Sequence, residues 1–147
     1  PGSEMTKAID LAIKNKIKIA LIDQHIAITL KRFSKMISWK EKFNFLVDII
    51  LGVLRPGKQL KEFNIKAEDI TKVPSKETIK KLLEFVKKRY PNFYNVLIGE
   101  RNVVMANNLV GLMMQFPKET IVAVVGAGHE DEIARIIREK LYKHTEA

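Results

Sequence analysis

Apolar residues recur along most of this chain at the three-to-four spacing that gathers them on one face of a helix. "SEMTKAIDLAIKN" puts Met5, Ala8, Ile9, Ala12 and Ile13 on one side, with Ser3 as the N-cap. "HIAITLKRFSKM" resumes the helical spacing. "SWKE", residues 38–41, has the capping-box pattern that opens another helix running to Leu54, where "RPG" stops it. "SKETIKKLLEFVKKRYP" aligns Ile79, Leu82, Leu83 and Val86, with Glu77 near the helix start and basic residues near its end, as the helix dipole favours. Pro91 then opens a long helix through about Gln115, and Ile133, Ile136, Ile137 and Leu141 share one side of a closing helix at residues 130–143. Residues 58–75 are polar and short-patterned, and read as small helices or loops.

Two segments depart from this period. "IKIALID" is rich in β-branched residues and ends in Asp23; "TIVAVVG", residues 120–126, contains an unbroken apolar run that leads into the turn bearing His129. Each is flanked by helices, so the pattern predicts two parallel strands with Asp23 and His129 at one edge of the sheet. The expected fold class is α/β, predominantly helical with a small parallel sheet. Two strands make a thin sheet, which suggests an incomplete portion of a larger domain and an unpaired edge prone to homo-oligomer formation.

The 147 residues contain no cysteine, so disulfides and thiolate metal sites are excluded and any metal must be held by His, Asp or Glu. No signal peptide or transmembrane segment is evident, because the longest apolar runs are short and interrupted by Asp48 or by Asn107 and Asn108. That leaves a cytoplasmic location, or membrane association through regions outside this chain. The net charge of +9 invites a nucleic-acid partner, but the lysines are spread over nearly every helix without aromatic interleaving, which fits a solvated basic surface better. Abundant Lys and Ile resemble the composition of thermophile proteins.

Candidate chemistry lies in three places. "GAGHED" matches the first two glycines of a dinucleotide fingerprint, but the third position is Asp131 and too little chain follows for the ribose-binding carboxylate; that reading is rejected. His129 is then a metal ligand, a proton shuttle or a helix cap. In "LIGERNVVMANN", the apolar face traced by Phe93, Leu97, Val104 and Leu112 includes Glu100 and Arg101, which form either a buried packing pair or a general base with its partner. Asp23 faces the same crevice as His129 or caps a helix, and Arg32 follows on the next helix. Asn107 and Asn108 are most simply packed against loop carbonyls.

"IGERNVVMANNL", "IVAVVGAGH", "LIDQHIAITLKRF" and the opening "PGSEMTKAI" together resemble the TraB family, which includes pheromone-shutdown proteins. The resemblance covers nearly the whole chain but only the later part of the family's domain, so residues 1–147 read as the C-terminal portion of one TraB-like domain. It implies a metal-dependent peptidase or peptide-pheromone-inactivating protein, metalloprotease-like through its Gly-x-x-His turn at residues 126–129. On this resemblance Glu100, Arg101 and His129 are catalytic, His129 also ligates a divalent metal ion, and Asp23, Arg32 and Asn102 bind a peptide substrate. Gln24 follows Asp23 where the family commonly has arginine. The alternatives are a non-catalytic peptide-binding or regulatory module and, further off, a basic nucleic-acid-binding domain. The upstream part of the domain would complete the site, and this chain alone would be inactive.

Overall fold

The computed structural model describes residues 2–54 and 75–145. Its helices are α1 (Ser3–Lys14), α2 (Ile26–Met36), α3 (Trp39–Leu54), α4 (Lys76–Arg89), α5 (Pro91–Tyr94), α6 (Glu100–Gln115) and α7 (Glu130–Thr145), with a π-helical turn, Asn95–Gly99, between α5 and α6. The small helices or loops expected at residues 58–75 lie almost wholly outside the described residues. No helix among the described residues is long and apolar enough to cross a membrane. The chain forms two compact units, one made of Pro1–Gln24 with Arg101–Ala147 and the other of His25–Glu100.

The helix starts follow local chemistry. Ser38 and Glu41 make the expected reciprocal box: the Ser38 hydroxyl accepts the Glu41 N–H at 3.2 Å, and the Glu41 carboxylate accepts the Ser38 N–H at 3.0 Å. Ser75 accepts the Thr78 N–H at the start of α4, and the Nδ1 of His25 accepts the Ala27 N–H at the start of α2. At α1 the cap is Gly2, at φ 96°, and the expected N-cap Ser3 lies inside the helix. A left-handed φ of this kind favours glycine over any residue with a Cβ.

No residue among those described is in a strand, so the α/β fold with a parallel sheet is overturned and the described structure is helical throughout. Residues 17–22 and 120–126 are irregular. Ile22, Ile121 and Val125 pack on the core of the first unit, made of Met105, Ala106, Leu109 and Ile133. Alternate residues point away from it, with Leu21 at 89% and Val122 at 82% exposure. β-Branched alternation supplies the side chains of a strand, but a strand exists only where a neighbouring backbone completes the ladder. Neither segment finds such a ladder among the described residues.

In the second unit α2 packs against α5 and the π-helical turn. Phe33 meets Phe93 edge-on at 5.3 Å, and Tyr90 lies edge-on to Phe45 and Phe85. Val96 in the π-helical turn is fully buried. Sequence reasoning missed the polar core of this unit. Glu41 accepts hydrogen bonds from the Asn92 N–H at 2.7 Å and the Asn92 side chain at 2.9 Å, while Arg89 grips Asp48 with Nε at 3.1 Å and Nη2 at 2.7 Å. The Tyr90 hydroxyl donates to the same Asp48 carboxylate. The available signal was Asp48, a lone acid in an otherwise apolar run.

Candidate functional site

A π-helical turn precedes the Glu100 segment. The Glu100 N–H reaches back to the Asn95 carbonyl, one residue further than an α-helix allows. The expected stripe of Phe93, Leu97, Val104 and Leu112 is only half buried, whereas in the first unit Asn102, Met105, Ala106, Leu109 and Val110 are buried. Gly99 suits the turn, because a Cβ there would stand 3.0 Å from Asn95 Oδ1.

Within the first unit the chain gathers Asp23, Arg101, Asn102 and His129. Arg101 holds Asp23 in a forked pair, Nε to Oδ1 at 3.0 Å and Nη2 to Oδ2 at 2.5 Å. That guanidinium holds the Asp23 carboxyl below its usual range, outweighing burial. Asn102 is fully enclosed and its Oδ1 lies 2.6 Å from His129 Nδ1. With Oδ1 as acceptor, Nδ1 carries the proton and Nε2 keeps its lone pair. The Asn102 Nδ2 has no acceptor among the described residues, an orphan donor that costs about 1–3 kcal/mol. Reversing the amide would leave an orphan acceptor instead.

His129 does not use its side chain as a helix cap. Its backbone carbonyl accepts the Ile133 N–H at 3.0 Å, at the start of α7, and its ring is turned to Asn102. Burial, and then the Arg101 cation, lower its pKa, and the Asp23 carboxylate opposes them only in part. The ring is thus a neutral imidazole at neutral pH. Asn108, from the same helix as Asn102, donates to the Ile22 carbonyl at 2.8 Å, the loop-carbonyl role expected of it.

Within the second unit Glu100 and Arg32 form a forked pair, Nε to Oε2 at 2.5 Å and Nη2 to Oε1 at 2.6 Å. Glu100 and Arg101 are only partly buried. Each charged candidate is therefore engaged by another: Glu100 by Arg32, and Asp23 by Arg101.

The metalloprotease-like character expected from the resemblance is overturned. Among the described residues no group of three or more His, Cys, Asp or Glu could hold a metal ion. The reason is visible at His129, where the Asp23 carboxylate that acts on the ring is neutralised by Arg101 and one ring nitrogen is committed to Asn102. An arginine beside the imidazole also repels a divalent cation.

What the described residues define is a helical fold whose first unit holds a buried Asn–His pair and a forked Arg–Asp pair. A model of the TraB/PrgY/gumN family matches residues 1–140, and the chain belongs to that family. It is also 36% identical over 138 residues to an uncharacterized protein of Methanocaldococcus jannaschii, a match that covers 94% of this chain and 32% of the relative. The chain thus spans about a third of that curated relative's length. No solved structure matches.

Proposed function

We propose that this chain is a non-catalytic peptide-binding portion of a TraB/PrgY/gumN-family protein, with Arg101, Asn102 and His129 receiving the polar groups of a peptide. The orphan Nδ2 of Asn102 carries the reading, since a buried donor without an acceptor is retained at a cost and suits a ligand carbonyl. The neutral Nε2 of His129 adds an acceptor suited to a peptide N–H. Arg101, forked onto Asp23, suits a peptide carboxylate that takes over the pairing. Asn102 is enclosed, so binding accompanies a local opening of the core around it. No divalent metal enters the proposal, because the residues beside His129 do not fit one.

The Asn102 contact, which holds the His129 ring by Nδ1 and leaves Nε2 its lone pair, favours a second reading, in which this imidazole is the general base of a metal-independent peptide hydrolysis. One experiment separates the two. A library of short peptides with free C-terminal carboxylates is titrated into the chain by calorimetry, and the mixtures are then examined by mass spectrometry. Binding without cleavage, weakened about tenfold or more by Asn102→Ala and Arg101→Gln in variants that keep the native circular dichroism, is the expected result. Cleavage abolished by His129→Asn establishes hydrolysis instead. Absence of binding, or binding indifferent to all three changes, overturns both readings.

A further inference from the structure

Helix α3 carries two opposed faces. At 100° per residue, its acids Glu41 and Asp48 fall within about 20° of each other, and Trp39, Phe43, Leu46 and Ile50 fall within about 60° on the opposite side. Both acids are spent inside the second unit, Glu41 on Ser38 and Asn92 and Asp48 on Arg89 and Tyr90. The opposite stripe is bare: Trp39 is 84% exposed, Phe43 66%, Leu46 55% and Ile50 48%. Lys40 and Lys42 flank its N-terminal end, and the Lys42 ammonium sits 4.8 Å from the centre of the Trp39 ring. Phe45, Ile49 and Leu51, off this stripe, add exposed apolar surface to the same helix, at 54%, 48% and 40%, and contiguous apolar side chains of this kind mark an interaction surface.

The distribution of charge says what kind of surface it meets. Between His25 and Glu100 there are 16 Lys and Arg against 8 Asp and Glu, while the rest of the chain has 10 against 9. Nearly all of the +9 excess therefore belongs to the unit that bears the stripe. A second copy would bring like charge against like. A nucleic acid would match the lysines but leave leucine and isoleucine without apolar partners. An anionic lipid surface satisfies both, with acyl chains for the stripe and headgroups for the lysines. The 16 residues of α3 span about 24 Å, short of the roughly 30 Å of a bilayer's hydrocarbon core, so the helix lies in the surface rather than crossing it.

We infer that α3 is an interfacial helix that docks the protein onto an anionic membrane surface through Trp39, Phe43, Leu46 and Ile50, with Lys40 and Lys42 contacting the headgroups. Trp39 is the chain's sole tryptophan, so its fluorescence reports the docking directly. The test mixes the chain with vesicles of phosphatidylcholine alone, or of phosphatidylcholine with about a third phosphatidylglycerol, and follows Trp39 emission and co-sedimentation. A blue shift with co-sedimentation is expected only with the anionic vesicles, and it should fade as salt rises toward roughly 1 M. Lys40→Gln with Lys42→Gln should reduce partitioning about thirtyfold. Phe43→Asp with Leu46→Asp should abolish it in a protein whose circular dichroism is unchanged, since both side chains are exposed. The proposal is overturned by equal binding to both vesicle types or by no binding to either. It is also overturned by a Trp39 emission already blue without vesicles, or by RNA binding that leaves that emission unmoved.

Discussion

At the residue scale, Asn102 and His129 set the character of the candidate site, and both make predictions about protonation. Burial, followed by the Arg101 cation, lowers the His129 pKa below its ordinary 6.5. The unfolded chain therefore binds the proton more readily than the folded one. Stability should be full above the unfolded value and should fall as pH drops below 6.5, levelling off once the folded-state ring is also protonated. Urea melts between about pH 5 and 8 should show this loss, and His129→Asn should remove that part of the slope. The Asn102 contact can be tested by charge. In Asn102→Asp a carboxylate faces Nδ1 at the place of the amide oxygen, which favours the imidazolium. The His129 ring resonances should then titrate at a higher pH than in the parent protein; an unchanged titration would mean that Asn102 is not its partner.

At the scale of elements, Asp48 ties α3 to the end of α4. Arg89 and the Tyr90 hydroxyl both converge on its carboxylate, Arg89 holds it below the usual carboxylate range, and burial with the Asp48 contact pushes Tyr90 up to about 12. Asp48→Ala strands the buried Tyr90 hydroxyl and unpairs the half-exposed Arg89, and should destabilise the protein by about 2–3 kcal/mol. Tyr90→Phe removes one donor while keeping the ring against Phe45, Phe85 and Phe93, and should cost only about 1 kcal/mol. Denaturant midpoints of the two variants check the order; equal losses would mean that the Tyr90 hydroxyl bond carries the whole contribution of Asp48 and the Arg89 pair none of it. Glu41 shows a related balance. Burial pushes its carboxyl up, but the bonds from Asn92 and Ser38 outweigh burial and hold it down.

At the scale of the whole molecule, the helices were legible in the sequence because their determinants are local. Capping residues such as Ser38 with Glu41 and Ser75 act within one turn, and apolar periodicity is a property of contiguous residues. The family resemblance was legible for the same reason, as ordered segments that the family model matches over residues 1–140. The pairings of the candidate residues within each unit were not legible. Asp23 and Arg101 are 78 residues apart, Arg32 and Glu100 68, and Asn102 and His129 27, and no local rule pairs charges across such distances. The buried face of α6 includes Asn102, whereas Val104 and Leu112 of the expected stripe are only half buried. By itself the sequence determined where helices such as α3 and α4 begin and which side chains are available for chemistry. Only the tertiary structure decided which of those side chains meet, and it denied residues 17–22 and 120–126 the status of strands, because a ladder needs hydrogen-bond partners from another backbone.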